Sequence, residues 1–368
     1  MEKLKNLFHI CLIVLAMSII LPSIALAENK AWTDFKETSK LGGYGIARYI
    51  YNDRSGQTTN GGFDFRYVRL YVDGKVLDFN YKFQMEFYGL PNADTGKGAR
   101  LLDAWAEWAK FKEFRVKGGQ FKRSFSFEAP YNPWDVGLNN YSGVISKLTG
   151  FPDRCGELTT GGRDIGVQVQ GDLFPSKRDG HRFFHYQVGV FNGQGINSAD
   201  VDKKKDIIGG LWFSPVDKLN IGAFGWAGTY ARKGTDGKVV AVDRNRMELG
   251  VKYESDWTVR GEYITSEGRA FKNATGTEIN DARGDKSDGW YATVGIPVIK
   301  NKLKIYGKWD VYRDRKEMST ATQSYVCSVN YYLCKNLKVQ GTYSFTHDKN
   351  VAVGQNYNTL DFQLYWRF

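Results

Sequence analysis

Proline and histidine are scarce in this chain: its 368 residues include 8 Pro and 4 His. So little proline beside 41 Gly excludes a polyproline or collagen-like chain and favours strands and turns. Cysteine is also sparse. Cys11 lies in an N-terminal apolar stretch, which leaves Cys155, Cys327 and Cys334. An odd number argues against a disulfide framework, so free thiols are expected. After the first 27 residues no segment offers the ~18 consecutive apolar residues of a membrane helix.

Catalytic patterns are missing too. His181 and His185 are four apart, which in extended chain separates them by ~13 Å, too far to share a metal. Gly89…Gly96-Lys97 has the wrong spacing for a phosphate-binding loop. Asp281, Asp285 and Asp288-Gly289 miss the spacing of a calcium loop and read as a solvated acidic loop. No Ser/His pair of an outer-membrane phospholipase is recognisable. The chain is therefore not expected to be an enzyme, nor to hold a metal or cofactor. The formal charge is +11, but the basic residues are dispersed rather than gathered in one patch, which argues against nucleic acid.

What is present points to export. Lys3 and Lys5 precede an apolar core from Ile10 to Leu21, and Ala25-Leu26-Ala27 is a small-x-small cleavage site. These are the parts of a signal peptide, residues 1–27, leaving 28–368 as one mature domain. At the other end, Leu360, Phe362, Leu364, Trp366 and Phe368 alternate with Thr359, Asp361, Gln363, Tyr365 and Arg367. Side chains alternate across a strand, so this segment has one apolar and one polar wall. It resembles the last strand of a bacterial outer-membrane barrel, with Phe368 as the assembly signal read by the barrel-assembly machinery. Aromatics make up 15% of a chain whose mean hydropathy is negative, as alternating walls with interfacial girdles require.

Sixteen such segments can be traced: 42–51, 62–72, 79–88, 100–111, 114–122, 163–172, 182–191 and 206–213, then 219–230, 246–254, 257–266, 289–298, 302–312, 322–333, 337–347 and 357–368. Their lengths suit tilted strands crossing a bilayer, ~9–11 residues each. Connectors alternate short and long, as periplasmic turns and extracellular loops do; only 173–181 is long for a turn. The expectation is an all-β, transmembrane, antiparallel up-and-down barrel of 16 strands. About fourteen residues would precede the first strand, too few for a plug domain. Leu337, Val339, Tyr343 and Phe345 should face lipid, as should Leu303, Ile305, Trp309 and Val311, and Tyr81, Phe83, Met85 and Phe87. The lumen then receives Lys338 and Gln340, Lys304 and Lys308, and Lys82 and Glu86. In 42–51 and 219–230, glycines blur the period.

Two stretches beside the longest connector resemble the phosphate-selective porin O/P family: Val116-Lys117-Gly118-Gly119-Gln120-Phe121-Lys122 and Gly162-Arg163-Asp164-Ile165-Gly166-Val167-Gln168. Asp103-Ala104 on the strand before also fits. The resemblance implies a sixteen-stranded homotrimeric diffusion channel in the outer membrane, with a third long loop folded inward as the constriction. That loop is 123–162, about forty residues with a short helix expected within 136–148. Connectors of that length are usually functional. One departure stands out: Glu128 is followed by Ala-Pro-Tyr-Asn-Pro-Trp-Asp rather than by the Thr/Ser-Ser element expected of phosphate-specific members, with Ser142 and Ser146-Lys147 as substitutes.

Channel-lining and constriction residues are then expected among Arg69, Asp103, Arg115, Lys117, Lys122, Arg123, Lys147, Arg154 and Arg163. Lysine and arginine rings suit anion or phosphate pores, and same-sign charge between low-dielectric walls concentrates counter-ions. The opposing reading is that a wet wall needs charge anyway, each cation being balanced by Glu86, Asp103, Glu107, Asp164, Glu248 or Glu262. The expected function is passive diffusion of small anionic solutes, phosphate among them. The alternatives are a non-selective porin, or a barrel acting as adhesin or receptor through its long loops.

Overall fold

The computed structural model describes residues 24–56, 60–88, 99–157 and 161–368. The expected leader lies almost wholly outside them; only its end falls within, at the start of helix α1 (Ile24–Thr38). The strands follow as β1 (Lys40–Asn52), β2 (Gly61–Val76), β3 (Phe79–Tyr88), β4 (Arg100–Trp108) and β5 (Arg115–Lys122). After the short helix α2 (Gly143–Leu148) come β6 (Arg163–Pro175), β7 (Arg182–Phe191), β8 (Asp206–Phe213) and β9 (Leu219–Ala227). A hairpin, β10 (Thr229–Lys233) and β11 (Val239–Asp243), precedes β12 (Asn245–Glu254) and β13 (Thr258–Glu267). The chain ends in β14 (Lys286–Ile299), β15 (Leu303–Arg313), β16 (Ala321–Cys334), β17 (Leu337–Asp348) and β18 (Asn356–Arg367).

All but β10 and β11 form one closed antiparallel barrel, each strand beside its sequence neighbour and β18 returning to β1. Sixteen strands close it, as the alternating pattern required. The seam is pinned where Phe368 N donates to Gly43 O (3.0 Å) and Gly43 N to Phe368 O (3.3 Å). The doubtful turn resolves because β6 runs on to Pro175, leaving 176–181 as the connector. Two elements were not legible: the β10–β11 hairpin inside the fifth long connector, and α1. The helix docks on the β2–β3 turn, where Leu77 N donates to Asp34 Oδ2 (2.8 Å), Lys75 N donates to Thr38 Oγ1 (2.9 Å), and Phe35 stacks on Tyr81.

Facing follows the alternation. Phe83, Trp309, Val339, Tyr343, Leu360 and Phe362 are exposed on the outer wall, while Gln84, Lys308, Lys338, Thr342, Asp361 and Gln363 are buried on the inner side. An arginine replacing Phe83, mid-strand, should cost ~2–4 kcal/mol, whereas Leu303→Arg, beside the short turn, should cost only ~0–1 kcal/mol. Lys82→Gln, one residue inward, should leave folding unchanged within ~0.5 kcal/mol. Urea unfolding in lipid vesicles measures all three, and equal losses for Phe83→Arg and Lys82→Gln would place the strand register one residue out.

The long segment between β5 and β6 lies against the inner wall. Phe125, Val136, Leu138, Val144, Ile145 and Leu148 pack on wall residues Phe224, Trp226, Ile264, Tyr291, Tyr306 and Val326. Glycines on that wall make the room: a Cβ on Gly289 would lie 2.9 Å from Val144, and one on Gly250 2.9 Å from Phe127. An irregular segment carries unpaired backbone groups that must be satisfied, and wall side chains do so. Lys338 Nζ donates to Trp134 O (2.8 Å), Asn330 to Gly137 O (2.7 Å) and Arg260 to Val136 O (2.7 Å). Glu262 accepts from Phe127 N and Glu128 N. The segment is thereby fastened to wall residues from β9 to β17.

Candidate solute passage

Against the β2–β7 wall lies a cavity of about 340 Å³ bordered by Arg69, Lys82, Lys117, Lys122 and Arg163, facing Pro130, Asn132 and Pro133 of the inward segment. Local irregularities aim these side chains. The β3–β4 register shifts between Gln84 and Met85, and the extra β4 residue, Leu102, is buried. Gly119 permits the tight β4–β5 approach: its φ is +124°, and a Cβ there would fall 2.2 Å from Ala104 O. Gln120 clamps the β4 irregularity, donating to Leu102 O (3.0 Å) and accepting from Asn197 N (2.7 Å). The Gly-Gly-Gln stretch is thus a backbone device beside the passage.

Ion pairing separates the arginines from the lysines. Arg163 grips Asp103 through Nε and Nη2 (2.9 and 2.8 Å), and Arg69 pairs with Glu86 while donating to the Tyr44 hydroxyl. Close guanidinium–carboxylate pairs, forked at Arg163, neutralise their charge locally. The lysines are looser. Lys117 stands 3.8 Å from Glu107 and over the Trp105 ring, and Lys82 is 3.9 Å from Asp73. Lys122 donates to Ala129 O (2.8 Å) and Tyr131 O (2.6 Å), with no ion pair among the described residues. Around the cavity, six basic side chains stand against one carboxylate, Asp103, with Gln84, Gln168, Gln170 and Gln187 as neutral hydrogen-bonding groups.

The other expected lining residues are placed differently. Arg115, nearer the short-turn rim, pairs with Asp172 (2.7 Å). Arg123 borders the cavity but is buried, its guanidinium held by Glu157 (3.0 Å) and Asp164 (2.9 Å). Arg154 does not line the cavity at all. It donates to Gly268, Arg283, Gly284 and Asp314 carbonyls, tying the base of the inward segment to the long loops after β13 and β15. Lys147 is exposed on α2 with no ion pair among the described residues. Arg66, passed over in the sequence, is an inner-wall cation donating to Asn140 Oδ1 (2.8 Å). A bulge at β1–β2 puts it there, and no local pattern signals it.

At the long-loop end, Asp153, Cys155 and Glu157 bring donor atoms within 4.8 Å of one another. Their carboxylates are already engaged: Arg246 forks onto Asp153, and Arg123 and Arg244 hold Glu157. Burial pushes the Glu157 carboxyl above its ordinary value, and at Asp153 burial does the same but Arg246 outweighs it and holds the group low. A cation placed here would face three guanidiniums, so the cluster is an ion-pair network rather than a metal site.

Comparison with known proteins bears on the barrel itself. The sequence profile of the family described as phosphate-selective porin O and P matches residues 43–136, bearing out the resemblance over the segment that holds the first motif and Asp103-Ala104. No curated protein matches by sequence. An anion-selective porin from Comamonas acidovorans superposes with a TM-score of 0.64 at 14% identity, covering 90% of this chain and 99% of that one. The outer membrane channel DcaP of Acinetobacter baumannii gives 0.57 at 13% identity, covering 90% and 97%. OmpT, an outer membrane protein of Vibrio cholerae, in a trimer form, gives 0.56 at 14% identity, covering 90% and 100%. The shared feature is the closed barrel of outer-membrane porins.

Proposed function

We propose that the chain is a passive diffusion channel of the outer membrane that prefers small anions. The observation that carries this is the uneven pairing around the cavity: the arginines are held by carboxylates at hydrogen-bond distance, whereas Lys82 and Lys117 stand 3.9 and 3.8 Å from theirs and Lys122 is held by loop carbonyls rather than by a carboxylate. A same-sign cluster between low-dielectric walls raises the local concentration of counter-ions. Lysines act on them as point charges rather than bidentate clamps, which attracts without trapping, as conduction requires. Phosphate would pass as one such anion. A dedicated phosphate element after Glu128 has no support: Glu128 is buried and accepts from Ser142 N, facing the loop's own backbone rather than the passage.

The same reading places the short turns in the periplasm, the long loops outside the cell, and lipid around the outer wall. It includes cleavage after Ala27 and assembly as a homotrimer, for which the trimeric Vibrio barrel is a precedent. Purified protein in a planar bilayer with a KCl gradient tests it. Stable open steps with a reversal potential on the chloride side are expected. Equal permeability of both ions would remove the anion preference, and a bilayer without steps would favour the receptor reading.

Phe368 belongs to assembly. It is exposed on the outer wall and its backbone closes the β1–β18 seam, so its deletion removes both an exposed aromatic and a seam contact. Folded protein in the outer membrane should fall several-fold, scored by the gel shift between heated and unheated samples. Wild-type levels would remove Phe368 from the assembly step.

A further inference from the structure

Between the inward segment and the short-turn rim lies a second cavity, of about 620 Å³, bordered by Arg115, His185, Trp212, Lys252, Tyr131 and Asp135. We infer that it is a binding site for a planar aromatic monocarboxylate, held by Lys252 and His185 with its ring against Tyr131 and Trp212. The size is that of small-molecule sites, ~300–1,000 Å³, where apolar walls and a few converging polar groups set orientation.

His185 supplies the first observation. The residue is buried, Nδ1 is 2.6 Å from Asp172 Oδ1, and Nε2 has no hydrogen-bond partner although it is inaccessible to solvent. Leaving a buried polar atom unmade is costly, and such atoms in folded proteins call for an explanation. The Asp172 contact puts a proton on Nδ1, and the ring lies flat on Trp212 (3.8 Å between centroids, 10° between planes), so its orientation is set. A ligand carboxyl group that displaces the side chains covering Nε2 can then share one proton with it, from either side of the bond.

Lys252 supplies the second. It makes no ion pair among the described residues, and its ammonium sits over the Phe127 and Tyr131 rings at 5.2 and 5.8 Å. An ammonium over aromatic faces is stabilised by the ring quadrupole yet keeps donors free for an anion. The remaining charges limit the ligand to one negative charge. Arg115 is already neutralised by Asp172, and Asp135 of the inward segment adds a negative charge to the same space. A polyanion such as phosphate meets only one unpaired lysine here. The half-buried rings of Trp212 and Tyr131 would be wasted on it, whereas they complement an aromatic body.

The site rests on the pore reading for access, so its test is kept independent of conduction. Calorimetric titration of the full-length mature protein in detergent uses benzoate and acetate as probes. Aromatic contacts worth ~0.5–1.5 kcal/mol predict benzoate about two- to tenfold tighter than acetate, while the lysine pair, common to both carboxylates, adds to the affinity of each. Lys252→Gln should weaken benzoate about tenfold, and Trp212→Leu should erase the difference between the probes. Lys238→Gln, on the exposed hairpin, should bind as wild type. Variants are scored only after the gel shift shows them folded; if Trp212→Leu does not fold, Lys252→Gln decides. Equal binding of the two probes, or benzoate binding indifferent to Lys252→Gln, overturns the site even if the channel conducts. Absence of conduction with benzoate preference intact overturns the pore reading and leaves the site standing.

Discussion

Arg244→Ala is expected to destabilise the folded barrel by about 3–5 kcal/mol, the cost of removing one partner from a buried ion network. Arg244 is among the most buried large side chains of the described residues. It pairs with Glu157 from the inward segment and with Asp206 at the start of β8 (2.7 Å), and donates to Gly193 O. Its guanidinium also lies over the Trp226 ring at 4.5 Å. Truncation removes one of the two guanidiniums that hold Glu157 and leaves Asp206 to the Trp226 indole and Thr229 N among the described residues. Arg244→Lys keeps the charge but not the fork, so its loss should be smaller. Equilibrium urea unfolding in lipid vesicles measures both. A loss under ~1 kcal/mol for Arg244→Ala would mean the network is a bystander rather than the anchor of the inward segment.

Lys82→Glu combined with Lys117→Glu is expected to reverse the ion preference of the pore. A unit charge 4 Å from a passing ion is worth about 1 kcal/mol even at the dielectric of water, and more between protein walls. Reversing two such charges therefore exceeds the ~1.4 kcal/mol that corresponds to a tenfold change. The chloride-to-potassium permeability ratio should fall by at least about tenfold, while open steps persist. Lys122 is left intact in this test because its ammonium holds the Ala129 and Tyr131 carbonyls, and a carboxylate there would repel them. The matched control is Lys238→Glu on the outer hairpin, screened within ~8 Å at physiological salt. Arg313 cannot serve as an outer-loop control, since it forks onto Asp288 (2.7 and 2.6 Å). An unchanged permeability ratio for the Lys82/Lys117 pair would sink the basic passage and leave the barrel untouched.

His185 shows where sequence reasoning stops. Nothing near it in the chain announced Asp172 on β6 or Trp212 on β8. Those contacts depend on cross-strand register, and they make it the residue with the unfilled nitrogen. The arginines carry the same lesson. Arg123 and Arg154 looked like constriction cations because they sit in the long loop, but the loop's docking turned both into fasteners. Arg260 and Lys338 face inward as the alternation required, yet they bond to the carbonyls of Val136 and Trp134 instead of to solutes.

The sequence by itself determined the barrel: the period-two alternation, the sixteen segments, the long–short rhythm of connectors and the apolar outer wall are all local properties of the chain. Each needs only neighbouring residues, because a strand's facing is set by its own backbone pleat. Tertiary structure decided the passage. Which cations stay unpaired depends on register between strands and on bulges such as those at Leu102 and Arg66. It depends too on where Phe127 and Val144 of the long loop settle against glycines at 222, 250 and 289. Those are contacts between positions far apart in the chain, as Arg244 and Glu157 are, and their energies depend on distance and burial that no local pattern encodes.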